Sequence, residues 1–244
     1  MKEVKFIHLK ETDSTNRLLQ LLAEQEDMPA GSIVLADYQT SGRGQQGNSW
    51  VSEAGMNLTF SVLLKPESFP ASRFFSILET VSLSVRNVLM QYVDNVTVKW
   101  SNDIYCHDRK ISGILIENTI AAGLIVKSVA GIGINVNQTQ FGDGAPNAVS
   151  LAMLLGKPID CMEVMERFQH EFARQYDRLT DALFDEIHTD YRSVLYRKDG
   201  FHPYRDVAGV FDARIADIEP GGILVLERAD GTLSRYAFKE VGFV

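Results

Sequence analysis

The first place in this chain where chemistry could be done is the segment Gly42-Arg43-Gly44-Gln45-Gln46-Gly47-Asn48-Ser49-Trp50. Glycines let backbone N–H groups come close to a phosphate. Arg43 can grip a carboxylate or phosphate with two N–H groups. Trp50 offers a flat surface to a base, or a lid to an apolar ligand. The first six residues also satisfy G-x-G-x-x-G, the dinucleotide-binding fingerprint, but that reading needs a helix directly after the loop to receive the pyrophosphate. Residues 48–55 carry no helical apolar stripe and lead toward another strand, which argues against it. Taken alone, the segment reads equally well as a mobile surface loop with a half-buried tryptophan.

Two further segments place cations near a carboxylate. Lys99-Trp100-Ser101-Asn102-Asp103 closes one strand-like run, and Lys110-Ile111-Ser112-Gly113-Ile114-Leu115 begins the next. With His107-Asp108-Arg109 as a hairpin tip, Lys99, Asp103 and Lys110 come into one neighbourhood. Either segment alone is as well explained by ordinary solvated charges. Gly131-Ile132-Gly133-Ile134-Asn135 adds two glycines inside an apolar run. Glycine weakens a strand unless something must approach the backbone there.

The elements that must position these residues follow from periodicity. Residues 4–9, 32–37 and 58–64 read as strands. Leu18, Leu19, Leu21 and Leu22 mark a helix that Asp13, Ser14 and Thr15 are placed to cap. Residues 72–92 have helical spacing, and strands follow over 96–100, 104–106, 111–117 and 124–135. A short helix near 148–155 and a long one over 162–183 come next, the latter with a tendency that continues toward Tyr196. Beyond residue 198 the pattern changes to short strands at 213–218, 223–227 and 235–238, separated by Pro220-Gly221-Gly222 and Asp230-Gly231 turns. The expected fold is α+β: a mixed-sheet catalytic domain over residues 1–197 and a small β domain over 198–244.

Composition narrows the function classes. The chain has 244 residues and a net charge of −8, which disfavours nonspecific binding to nucleic acid or anionic membrane. Its two cysteines, Cys106 and Cys161, form no CxxC pair and read as free thiols. The five histidines have no metal-binding spacing, and no uncharged apolar run reaches membrane-spanning length. The stretch from Met1 to Lys5 opens no leader pattern, so a cytoplasmic location is expected.

The ordered set GRGxxGxxW, KWxNDI, KxxGIL and GIGxN is similar to the pattern of biotin protein ligases, and Asp13-Ser14-Thr15-Asn16 and Gln39 match that family's biotin-pocket positions. The matches span residues 13 to 135, and the β-rich tail is similar to the family's SH3-like C-terminal domain. The resemblance implies a two-step ligase: biotin and ATP give biotinyl-5′-AMP, and a lysine of a biotin carboxyl carrier protein then takes the biotinyl group. It also implies roles. Lys110 and Arg43 are the candidate catalytic residues. Biotin falls to Ser14, Thr15, Asn16, Gln39, Arg43, Gly44, Lys110, Gly113, Leu115 and Gly131. The nucleotide falls to Arg43, Trp50, Lys99, Asn102, Lys110 and Asn135, and Asp103 is the candidate Mg²⁺ ligand.

The chain departs from that pattern where many members carry further arginines, at Gln45 and Asn48, so those phosphate contacts are not carried over. Ser101 replaces a common proline, which is expected to loosen a turn. Only about a dozen residues precede Ser14-Thr15-Asn16, too few for the winged-helix domain of the bifunctional repressors, so no DNA partner is expected. A homodimer is left open. Two other readings compete: a lipoate or octanoate ligase or transferase, and a non-enzymatic binding module.

Overall fold

Central strands are covered on both faces, and Leu58–Leu64 is such a strand: every residue of it is buried, Thr59 and Ser61 among them. The structure is a computed structural model that describes residues 4–142 and 144–244; residues 1–3, part of the stretch read above as lacking a leader, lie outside them. The elements of the first part are β1 (Phe6–Thr12), α1 (Thr15–Gln25), β2 (Ile33–Gln39), β3 (Leu58–Leu64), β4 (Phe69–Pro70), α2 (Phe74–Leu89), β5 (Val96–Lys99), β6 (Asp103–Cys106), β7 (Arg109–Ala121), β8 (Leu124–Ile134), α3 (Leu151–Leu155), α4 (Cys161–Thr180) and α5 (Phe184–Ser193).

The sheet runs in the order β1-β2-β3-β8-β7-β6-β5, with the two-residue β4 paired to β8. β1 and β2 are parallel and the other neighbours antiparallel, so the sheet is mixed as expected. Helix α1 covers one face, where Leu19 and Met28 pack with Val34, Leu63 and Val129. Helices α2 and α4 cover the other, where Phe60 meets Phe168 edge-on with centroids 4.8 Å apart. The hairpin tip falls at His107-Asp108, with His107 at φ 51°.

Two local expectations are corrected. Ser14 holds the N-cap position of α1, but its hydroxyl makes no capping bond. The Thr15 N–H instead donates to Gln39 Oε1 at 2.7 Å, which ties the helix start to the end of β2. The helical tendency from 162 toward 196 is also not one helix. The chain breaks at 181–183, with Ala182 at φ 59°, and α5 starts again at Phe184. The break lets α5 turn onto α2, where His188 Nδ1 meets the buried Glu79 carboxylate at 2.6 Å and Tyr191 packs edge-on to Phe75.

The tail forms a second antiparallel sheet from β9 (His202–Asp206), β10 (Gly209–Glu219), β11 (Ile223–Arg228), β12 (Leu233–Tyr236) and β13 (Gly242–Phe243), in the order β12-β11-β10-β9-β13. A small second antiparallel sheet is what the SH3-like expectation called for. Gly221 and Gly222, at φ 82° and 78°, make the β10–β11 turn, and a side chain on Gly222 would collide with Phe75. Through that close approach the Gly222 carbonyl accepts the Trp100 indole N–H at 3.0 Å. Phe238 packs against Trp100, and one buried apolar cluster runs from the first sheet into the second. The tail is therefore wedged against the segment from Lys99 to Asp103.

Candidate active site

Strand alternation puts Gly113 and Leu115 of β7 opposite Gly133 and Gly131 of β8. Three neighbouring positions on one sheet face therefore lack side chains, leaving a bare floor. Two side chains lie on it. Asn16, at the start of α1, occupies the space a Gly131 side chain would need, and the Trp50 indole occupies that of Gly133. At Gly113, an added carbon would sit 3.3 Å from Lys110 Nζ and 3.4 Å from Trp50. The glycines thus clear space first for the protein's own side chains.

Asn16 is fully engaged. Its Oδ1 accepts from Ser61 Oγ at 2.6 Å, and its Nδ2 donates to Glu117 Oε2 at 2.8 Å and to the Leu115 carbonyl at 3.4 Å. Thr15 Oγ1 donates to Gln39 Oε1 at 3.0 Å and lies 2.7 Å from Ser61 Oγ. These side chains form one connected hydrogen-bond network, which fixes their positions.

The glycine segment is a hairpin. Trp50 N–H donates to the Gly42 carbonyl at 3.0 Å and Gly44 N–H to the Asn48 carbonyl at 2.7 Å, while Arg43 bridges Ser49 across the pair. A single 3₁₀ turn over Gln45–Gly47 closes it. No helix follows: residues 48–57 lead into β3, so the dinucleotide-fold alternative fails on the element it requires. The hairpin brings the Trp50 indole down onto the floor, where its Nε1 is buried with no hydrogen-bond partner.

Each of the two cations at the site is held by one carboxylate. Lys110 Nζ stands 2.6 Å from Asp103 Oδ1, and Arg43 Nη2 stands 3.0 Å from Glu117 Oε2. Asn102 fixes the turn before Asp103 by donating to the Ile114 carbonyl at 2.6 Å and accepting the Ile114 N–H at its own carbonyl at 2.9 Å. At Ser101, in place of the common proline, the backbone carbonyl accepts from Tyr191 OH at 2.9 Å. Among the described residues, no group of three or more His, Cys, Asp or Glu side chains could hold a metal ion.

A cavity of about 200 Å³ lies between floor and hairpin. Of the residues expected to bind biotin, Ser14, Thr15, Asn16, Gln39, Arg43, Gly44, Lys110, Gly113, Leu115 and Gly131 all line it. So do Trp50, Asn102 and Asp103. Lys99 and Asn135, expected at the nucleotide, do not line it. Lys99 Nζ donates to Tyr105 OH at 2.9 Å and sits over the Tyr105 and Phe243 rings. Asn135 is buried, with Nδ2 donating to the Val149 carbonyl at 3.1 Å, so it shapes the chain after β8. Glu117 and Ser61 went unnoticed in the sequence. For Glu117 the signal was there, because period-2 alternation from Gly113 and Leu115 puts residue 117 on the same face.

The site thus joins a mixed sheet with a glycine floor, two carboxylate-held cations and a hairpin over a polar pocket. The chain belongs to the Biotin/lipoate A/B protein ligase family, whose model matches residues 9–135. It is 30% identical over 187 residues to a biotin--[acetyl-CoA-carboxylase] ligase of Paracoccus denitrificans, a match covering 73% of this chain and 76% of that protein. It is 36% identical over 136 residues to the bifunctional ligase/repressor BirA of Escherichia coli, covering 55% of this chain but only 41% of that protein's length. In three dimensions it is similar to a biotin protein ligase from Aquifex aeolicus in complex with biotin and ATP, with a TM-score of 0.80, 26% identity and 98% coverage of both chains.

Proposed function

We propose that this chain activates biotin with ATP and transfers the biotinyl group to a lysine of a biotin carboxyl carrier protein. The observation that carries the proposal is the placement of Lys110 and Arg43 beside a polar pocket over the glycine floor. In the first step a biotin carboxylate oxygen attacks the α-phosphorus of ATP. A new P–O bond forms, the bond to the β-phosphate bridge breaks, and pyrophosphate leaves. Two anions repel each other on approach, so cations fixed in advance at the reacting oxygens lower the barrier. Lys110 would reach both the carboxylate and the α-phosphate, and Arg43 would hold the same anions from the lid. In the second step the acceptor amine attacks the acyl carbon, AMP leaves, and the amine gives up its proton.

Ser14, Thr15 and Gln39 would meet the ureido ring of biotin, which carries both N–H and C=O groups. This favours biotin over lipoate, whose dithiolane ring offers no N–H or C=O group to match those polar side chains. Trp50 would stack on the adenine, which requires the indole to lift from Gly113 and Gly133. Mg²⁺ would arrive with ATP, and Asp103 is the one carboxylate of the cavity placed to hold it; magnesium is commonly bound through one or two carboxylates plus substrate phosphates.

A cytoplasmic location is part of this reading; no described helix is long and apolar enough to cross a membrane. The net charge of −8 supports the absence of a DNA partner, which a gel-shift assay checks through sequence-specific, salt-sensitive binding. The deciding experiment is incubation with biotin, MgATP and a biotin-carrier domain, followed by mass measurement of the acceptor. A gain of one biotinyl group is expected, and no gain defeats the proposal. Biotin-dependent, lipoate-independent pyrophosphate exchange separates the two ligase readings.

A further inference from the structure

We infer that Glu117 is the positioning residue for Arg43, fixing where the guanidinium meets the reacting anions; the inference rests on the biotin-activating reading above. Arg43 projects from a hairpin lid, and its side chain is 48% exposed. A long side chain on such a segment samples many rotamers unless a partner holds it. Among the described residues, the one side-chain bond given to Arg43 is the bond to Glu117.

The bond is asymmetric in a useful way. It occupies Nη2 of the guanidinium and leaves the other N–H donors of the fork available for a carboxylate or phosphate. Glu117 is itself fixed, since the same Oε2 accepts from Asn16 Nδ2 at 2.8 Å, and Asn16 is held by Ser61. One carboxylate oxygen therefore joins the floor of the cavity to its lid. The arrangement parallels Lys110, which is held by Asp103 from the neighbouring strand β6. Both cations are thus oriented before any ligand arrives, and each keeps donors to spare.

The test is a double-mutant cycle on biotin-dependent pyrophosphate exchange, with kcat and KM measured for wild type, Glu117→Ala, Arg43→Ala and the double variant. Glu117→Ala is expected to lower kcat/KM about tenfold, a coupling within the usual range for residues in direct contact. In the Arg43→Ala background, the Glu117 change is expected to have no further effect. Glu117→Gln keeps an oxygen that accepts from both Arg43 and Asn16, and is expected to recover most of the loss. If Glu117→Ala fails to fold, Glu117→Asp carries the same cycle, because it keeps the charge but withdraws it from Arg43. An equal loss in both backgrounds overturns the inference, as does wild-type exchange in Glu117→Ala. Wild type lacking biotin-dependent exchange would instead defeat the underlying functional reading.

Discussion

Gly131→Ala is the sharpest perturbation the floor offers. The added carbon lands on the Asn16 amide, which must move. Asn16 is buried and makes two short bonds, to Ser61 Oγ at 2.6 Å and Glu117 Oε2 at 2.8 Å. Leaving a buried polar group unpaired costs about 1–3 kcal/mol, and partial relaxation of two such groups gives a loss of about 2–4 kcal/mol. A domain stable by roughly 5–15 kcal/mol stays folded under that load. The displaced amide is driven into the cavity beside Ser14 and Thr15, and misplacement by about 1 Å in a preorganised site typically costs about a hundredfold. Gly133→Ala is the matched control. There the carbon lands on the Trp50 indole, whose Nε1 has no bond to lose, so the cost is overpacking alone, about 1–3 kcal/mol. Calorimetric titration with biotin and with ATP, alongside thermal melting, reads both variants. Gly131→Ala should lose biotin affinity about a hundredfold, whereas Gly133→Ala should lose chiefly ATP affinity. If Gly131→Ala binds biotin like wild type, or if both variants lose the same ligand equally, the division of the floor into two halves is wrong.

Other outcomes follow from the same geometry. Lys110→Ala should lower the rate of adenylate formation by about 10²–10³ while leaving biotin binding measurable, and full transfer activity in this variant would favour a binding module. Gln45→Arg should slow release of the adenylate, because an arginine there adds a cation beside the phosphates; an unchanged or faster off-rate in a filter-binding chase refutes this. The Glu79–His188 pair should make stability fall as pH rises. The bond to Glu79 raises His188 above its ordinary value, and burial raises Glu79 against the opposing effect of His188. Both groups therefore bind protons more tightly in the folded chain. Each contribution is complete below that group's unfolded value and fades as pH climbs through its own raised value, Glu79 first and His188 after it. Melting temperatures across that range should decline in wild type, and the His188 part of the decline should vanish in His188→Gln. Parallel curves would show that the pair is not responsible.

Much of the frame was legible because burial wrote itself into spacing. The strand read at 58–64 coincides with β3, and the glycine-marked run at 124–135 nearly coincides with β8. The site was legible as a set of positions, since Lys110, Asp103 and Arg43 do line one cavity. What each one touches was not. Lys99 and Asp103 are register partners across a tight turn, yet only Asp103 reaches the cavity, and aromatic contacts that depend on the distant tail hold Lys99 away from it. Asn135 sits beside the functional glycines in sequence, but its amide satisfies a buried carbonyl fourteen residues on. The end of the long helix near 183 was read within three residues, but the turn at 181–183 and the new direction of the chain were not, because nothing local forbids helix there. It is docking onto α2 that redirects the chain.

The bond from the Trp100 indole to the Gly222 carbonyl has a practical consequence for anyone wishing to shorten this protein. The sequence invites a cut at residue 198, where helical spacing gives way to short strands. A chain ended there would strip Trp100 and Phe75 of their cover and leave an indole donor without its acceptor, two residues from Asn102. The tail is better regarded as the back wall of the Asn102–Asp103 turn than as a detachable accessory. A shortened form of this chain should therefore keep the tail, since the turn at 207–208 is already a two-residue hairpin connection.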